Sequence, residues 1–175
     1  MQSADSDRGS AWLRAGTVLA VVVACDQLAK ALVRANIARG ERRNVFFGVD
    51  LVNVRNKGIA FGLFDGGGAL LTALTLAALV LLVAYFATHA DRPLVWLPTG
   101  LLVGGALGNM LDRLTDHAVT DFIDVPLWPS FNLADVAITC GVAALLFVLE
   151  GGGRSGSREQ AGDERAAGAG RGARA

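Results

Sequence analysis

The sequence predicts an all-α integral membrane protein: four transmembrane helices, with a small β-sheet at the membrane surface between helices 1 and 2. Three observations predict it. Of the 175 residues, 53% are hydrophobic and only 18% charged, against about a quarter charged in soluble chains. The charges crowd into both ends and two internal segments, leaving long apolar runs between them. Several of those runs approach or reach the ~20 residues that a bilayer-spanning helix needs.

The first helix is expected over about 12–37, although only 15–25 is free of charge. Asp26, Lys30 and Arg34 then recur every four residues and fall on one helix face. That face must look into protein or water, because charge turned to lipid is expensive. The segment has a competing reading. Arg14, an apolar stretch and then Val22, Val23, Ala24 and Cys25 look like a secretory signal ending in a lipid-attachment cysteine. The mature chain would then begin at Cys25. The continuing helical face and the three later spans weigh against it.

The second helix is expected at 69–87 (ALLTALTLAALVLLVAYFA), which carries no charge. The third covers 93–111 (PLVWLPTGLLVGGALGNML), with Asn109 near its far end. The fourth, 133–149 (LADVAITCGVAALLFVL), is slightly short and opens with Asp135. Four spans put both termini on one side. The Lys/Arg distribution does not say which, because the basic loop after span one faces a tail whose arginines are diluted by Glu150, Glu159, Asp163 and Glu164.

Two connections are more than linkers. Segment 44–64 holds short β-prone stretches (VFFGVDLVNV) broken by Gly48, Gly58 and Gly62. It is too polar to cross a membrane and too apolar for a plain loop, hence the expected surface sheet. Segment 114–131 is punctuated by Pro126 and Pro129 and rich in acid. The ends carry no fold: residues 1–10 are expected to be a disordered N-terminus and 151–175 a disordered Gly/Ala/Arg-rich tail, around one domain at 11–150. Cys25 and Cys140 lie in apolar runs and read as buried free thiols. A formal net charge of zero, with no interleaved aromatic and basic patch, argues against nucleic acid as a partner.

Polar groups near spans are functional candidates, and here they gather at one end of the bundle. Asn109, Asp112 and Arg113 close span three, while Asn132 and Asp135 open span four. Asp26 and Lys30 approach that end from span one, and Asn53 and Asn56 lie beside it. Asp26 and Lys30 also read as a structural i,i+4 ion pair. Asn132 followed three residues later by Asp135 also reads as a helix cap. Gly104 and Gly108 read as points of close helix approach. Arg113 needs acceptors at that depth, and Asp112 or Asp121 could supply them.

Asp121 and Asp135 each sit among apolar neighbours. Two carboxylates in a low-dielectric site do not both ionise easily, so one keeps its proton. One can then deprotonate water while the other polarises a peptide carbonyl. No histidine joins the acids at metal-ligand spacing, since His117 stands alone and His89 lies at the other membrane face. No G-x-S-x-G run or Ser/His pair serves acyl transfer.

Five blocks, in order, resemble the bacterial lipoprotein signal peptidase (signal peptidase II) family. They are 26–30 (DQLAK), 53–62 (NVRNKGIAFG), 104–114 (GGALGNMLDRL), 119–124 (VTDFID) and 131–135 (FNLAD). The resemblance covers about 12–150, with Ile59 and the tail as departures. It implies a membrane aspartyl endopeptidase that removes signal peptides from prolipoproteins, cleaving before a diacylglyceryl-modified cysteine. It implies Asp121 and Asp135 as the catalytic pair that activates a water. Asn56, Asn109, Arg113 and Asn132 would line the site, supported by Asp112, Asp26 and Lys30. No metal or organic cofactor is implied. The partners are the lipid-modified prolipoprotein and membrane lipid, and the chain is expected to act as a monomer. The family's place is the bacterial inner (plasma) membrane, multi-pass, with termini cytoplasmic, the sheet extracytoplasmic and the active site at the outer leaflet. Two rivals remain: a non-enzymatic carrier or channel subunit, whose polar groups would line a path across the bilayer, and a prepilin-type aspartyl peptidase, whose Gly-x-Gly-Asp run is missing here.

Overall fold

The computed structural model describes residues 2–57 and 67–150, with side chains for 7–57 and 73–150. Four helices and three strands follow in the order α1 (Gln2–Asn36), β1 (Arg42–Phe46), β2 (Val49–Asn56), α2 (Gly67–His89), α3 (Trp96–Asp116), β3 (Val119–Asp124) and α4 (Leu133–Glu150). Two of these helices are long and apolar enough to cross a membrane, Asp7–Asn36 within α1 and Leu133–Glu150. The apolar stretch described in α2, Ala73–His89, is shorter.

The helix ends differ from expectation at the N-terminus. Residues 2–10, expected to carry no fold, are the opening turns of α1. Two contacts explain how the start is held. The Arg8 guanidinium donates to the Ala87 carbonyl at 2.7 Å, and Ala11 is buried with Ala15, Phe86, Ala90 and Val95. Helix α3 tolerates Pro98 because it lies in the first turn, where a missing N–H costs little. It ends at His117, which takes a left-handed conformation (φ 57°) and donates its N–H to the Arg113 carbonyl.

Small residues set the spacing of the bundle. A Cβ at Gly104 would lie 2.9 Å from Val22 Cβ and 3.1 Å from the Leu19 backbone. One at Gly108 would lie 2.7 Å from Asp26 Oδ2 and 3.5 Å from Ala134 Cβ. Gly108 therefore lets α3 sit against both α1 and α4 at the level of their polar residues, as its spacing suggested. Cys25 and Cys140, read as buried, are exposed on α1 and α4. An apolar run in a spanning helix is apolar on its outward face too, so membership of one does not imply burial.

The sheet is larger than the segment expected to make it. β1 and β2 form an antiparallel hairpin turned by Gly48 (φ 74°), and β3 adds on the far edge of β2, giving the order β1-β2-β3. The third strand comes from the connection between α3 and α4, so both surface segments build one sheet. Its inner side packs on the helix ends: Phe122 is buried with Val33 and Ile37, with Leu51, Ile123 and Leu133 against them. This seating places β3 between the end of α3 and the start of α4.

Candidate active site

Lys30 occupies the centre of the polar end of the bundle and is fully buried. Its ammonium has three partners: Asp26 Oδ2 at 2.8 Å, Asp112 Oδ2 at 3.1 Å and Asn109 Oδ1 at 3.0 Å. All three donors of the group are thereby used. Each acid in turn holds backbone. Asp26 Oδ1 accepts the N–H of Ala134 in the first turn of α4, at 3.0 Å. Asp112 Oδ2 accepts the N–H of Thr120 in β3, at 2.9 Å. The i,i+4 ion pair of α1 thus fastens α1, α3, β3 and α4 together. Burying charge is favourable only when each group is paired and hydrogen-bonded in this way.

Asp121 and Asp135 lie on the other side of Asn109 and have a different environment. Asp121 Oδ1 accepts from Asn132 Nδ2 at 2.8 Å, and its Oδ2 accepts from Asn56 Nδ2 at 2.9 Å. Asp135 Oδ1 accepts from Asn109 Nδ2 at 2.9 Å, and its Oδ2 accepts from the Asn132 backbone N–H at 3.2 Å. Every carboxylate oxygen of the pair therefore takes one N–H, all from neutral amides. Asp121 is only 2% exposed. Burial pushes its pKa up to about 6, against the lowering effect of the Asn56 and Asn132 donors, while the charge of nearby Asp135 adds to the rise.

Asn132 both caps α4 and contacts Asp121, so the two expectations for it do not exclude each other. Its Oδ1 accepts the Asp135 N–H at 3.0 Å while Asp135 Oδ2 reaches back to the Asn132 N–H, a reciprocal capping box at the start of α4. Its Nδ2 stays free to donate to Asp121 Oδ1 and Asn109 Oδ1. The cap fixes the Asp135 side chain and leaves Oδ1 turned to Asn109.

The sequence of residues 18–150 matches the model of the signal peptidase (SPase) II family. The chain belongs to the signal peptidase II family. Among its relatives, the lipoprotein signal peptidase of Moorella thermoacetica is 44% identical over 133 residues, covering 74% of this chain and 87% of that protein. That of Syntrophomonas wolfei is 43% identical over 135 residues, covering 77% and 90%. A solved bacterial membrane enzyme, determined by the in meso method, superposes with a TM-score of 0.72 at 30% identity, covering 81% of this chain and 92% of that one. Membership makes this chain a peptidase of a bacterial membrane.

Most of the residues singled out in the sequence meet at this end of the signal peptidase II fold: Asp26, Lys30, Asn56, Asn109, Asp112, Asp121, Asn132 and Asp135 are joined by the bonds above. Arg113 is the exception. It is half-buried, but its bond is to the Asn109 carbonyl at 3.4 Å, and neither Asp112 nor Asp121 pairs with it. Lys30 and Arg34 occupy Asp112, and amides occupy Asp121. Asn53 holds structure instead, donating to the Ile37 carbonyl at 2.8 Å. Gln27 was overlooked. Its amide donates to Asp26, to the Gly108 carbonyl and to Asp112, at 3.0–3.2 Å. Only its place beside Asp26 in the DQLAK block could have marked it. Residues 58–62 of the second block lie outside the described residues, as does the tail at 151–175.

Proposed function

We propose that the chain is an aspartyl endopeptidase that crosses the bacterial plasma membrane four times and removes signal peptides from diacylglyceryl-modified prolipoproteins, cleaving before the lipidated cysteine. One observation carries the mechanism: all four oxygens of Asp121 and Asp135 are held by neutral N–H donors and none by a cation. Such a pair keeps its geometry while its charge changes. It holds one shared proton, and burial makes Asp121 the favoured place for it.

Ionised Asp135 then takes a proton from a water whose oxygen attacks the scissile carbonyl carbon. Protonated Asp121 donates to the carbonyl oxygen as it gains charge. Collapse breaks the C–N bond, and a proton from the pair passes to the leaving nitrogen. Arg113, with its guanidinium free of any acid among the described residues, supplies donors to the substrate backbone beside the pair. Asn56, Asn109 and Asn132 hold the acids, and Asp26, Lys30 and Asp112 hold Asn109 and the helix ends.

Four spans are supported by length. At 1.5 Å per residue, the 23 residues of α2 and 21 of α3 extend roughly 35 and 31 Å, enough for a hydrocarbon core of ~30 Å. Helix α3 is less apolar because its polar residues turn inward: Thr99, Asn109 and Asp112 are buried. The end of α1, the end of α3 and the start of α4 carry the site, so both termini lie on the opposite face. The reading places those termini in the cytoplasm and the site at the outer leaflet, where the lipidated cysteine enters sideways with its acyl chains still in the bilayer. The reading takes the chain to act as a monomer.

The test is cleavage of a diacylglyceryl-modified precursor, and of its unmodified form, by purified full-length enzyme. Asp121→Asn and Asp135→Asn are each expected to lose at least ~10³-fold in rate while remaining folded. Substantial turnover by both variants sinks the assignment of the pair, and equal cleavage of the unmodified precursor sinks the substrate.

A further inference from the structure

The polar face of α1 has three members, Asp26, Lys30 and Arg34, and the buried ion pair takes up the first two. Arg34 lies in the last turn of the helix, its side chain 34% exposed. Its guanidinium nonetheless reaches a group closed off from water. Nη1 donates to Thr120 Oγ1 at 3.1 Å, and Thr120 is only 1% exposed. Asp112 Oδ1 at 3.8 Å and Asp116 Oδ2 at 4.0 Å lie within ion-pair reach of the same nitrogen.

Thr120 stands directly before Asp121 in β3. Successive side chains of a strand point to opposite faces. Thr120 therefore turns its hydroxyl to Arg34, while Asp121 turns its carboxylate to Asn56 and Asn132. The backbone of Thr120 is held as well, its N–H donating to Asp112 Oδ2 at 2.9 Å. Arg55, opposite Thr120 in β2, pairs with Asp116 at 2.9 Å. One cluster behind the strand thus draws on α1, α3, β2 and β3.

This part of β3 needs a hold of that kind. Its ladder to β2 shifts register between Leu51 and Val54, and Val54 is the partner of Asp121. Such an irregularity bends a strand and re-aims the side chains beside it, so the ladder alone does not fix where Asp121 points. The bonds to Thr120 come from α1 and α3, the helices that carry Lys30 and Asn109. Asn109 in turn holds Asp135. The strand of one acid and the amide that holds the other are therefore referred to the same two helices.

We propose that Arg34 is a positioning residue for the peptidase reaction. Through the Thr120 hydroxyl it fixes the β3 backbone that carries Asp121, and so the placement of that carboxyl relative to Asp135. The proposal rests on the reading of Asp121 and Asp135 as the catalytic pair.

Thr120→Val is the sharpest variant, because it keeps the shape of the side chain and removes the acceptor. With full-length enzyme and a diacylglyceryl-modified precursor, its kcat is expected to fall roughly 5- to 10-fold with KM unchanged. That is well short of the ~10²-fold that displacement by a whole ångström brings. Thr120→Ser, which restores the acceptor, should recover most of the rate. Arg34→Met should also lower kcat, and Arg34→Lys, which keeps a charged donor, should recover part of it. The Arg34→Met, Thr120→Val double variant is expected to be no slower than Arg34→Met alone, because both changes break the same bond.

A Thr120→Val enzyme with the parent kcat overturns the proposal, and it decides alone if Arg34→Met does not fold. A double variant whose loss is the product of the single losses overturns it too. So does an Arg34→Met enzyme with raised KM and unchanged kcat, which would place Arg34 on the substrate. Asp121→Asn in the same assay tests the underlying reading separately. If it still turns over, the catalytic pair falls; if it is inactive while Thr120→Val is unaffected, only the positioning role falls.

Discussion

Asp26 and Asp112 on one side of Asn109, and Asp121 and Asp135 on the other, belong to the same ring of helix ends, yet only the first two have a cation between them. Lys30 joins Asp26 and Asp112 at 2.8 and 3.1 Å, with 2% exposure or less on every partner. The second pair is held by amide N–H groups alone. A carboxylate against a buried ammonium is held in place by the ion pair, because removing either partner strands the other. A carboxylate held by amides can gain or lose a proton and keep its partners. The first pair is therefore suited to fastening helices and the second to moving protons. Asn109 touches both: Oδ1 accepts from Lys30, and Nδ2 is thereby turned to Asp135.

The largest expected effect comes from breaking the locked side. Lys30→Met leaves Asp26 buried without a cation and Asp112 with only the more distant Arg34, at 3.8 Å, and a loss of about 3–5 kcal/mol in stability is expected. Cleavage should fall by roughly 10²-fold in whatever folds, because Asn109 no longer has a reason to present Nδ2 to Asp135. A second variant separates the two causes. Asp26→Asn and Asp112→Asn combined with Lys30→Met removes all three charges and should recover much of the thermal stability in detergent. Its activity should stay low. Full recovery of activity in the triple variant would show that Lys30 acts through charge balance alone and does not orient Asn109.

A smaller effect is expected from the titrating side, in the dependence of stability on pH. The folded pKa of Asp121, about 6, lies above the ordinary value of 3.8 for the group. Folding therefore favours the protonated form. The stability this gives is complete below pH ~4 and is lost as pH rises through ~6, a difference of about 2–3 kcal/mol. Asp121→Asn has no proton to lose there. Its melting temperature relative to the parent is expected to climb between pH 4 and 6 and level off above. A constant difference across that window would mean that Asp121 is not held away from water.

The two sides were not equally legible in the sequence. Asp26 and Lys30 could be read as partners because i,i+4 spacing on a helix puts them on one face whatever the tertiary fold. The capping relation of Asn132 and Asp135 was legible for the same reason. Asp112 as the second acid of Lys30 was not, since the pairing crosses from α1 to α3 and depends on how closely Gly108 lets them approach. Arg113 was assigned acids that the fold gives to others, because spacing fixes the face of a residue but not which donors arrive there first. The third strand was missed because β3 pairs with a strand more than sixty residues away, and only tertiary contact selects that pairing. Choosing Asp121 and Asp135 from the other acids rested on the family resemblance.

The finest test sits on one hydrogen bond of the titrating pair. Asn56 donates to Asp121 Oδ2 at 2.9 Å and so favours the ionised acid. With Asn56→Ala that donor is gone, and the pKa of Asp121 should rise further. If the pair must keep one proton to polarise the carbonyl, activity falls as pH climbs through its upper ionisation. The alkaline limb of kcat/KM should then move upward by roughly half to one unit, as one hydrogen bond of ~1 kcal/mol allows. The ratio of variant to parent activity would rise with pH even though the variant is slower at its optimum. An Asn56 that served only to bind substrate would lower kcat/KM by the same factor at every pH. A flat ratio would therefore move Asn56 from the acids to the substrate and leave the amide-held pair with one donor fewer in its mechanism.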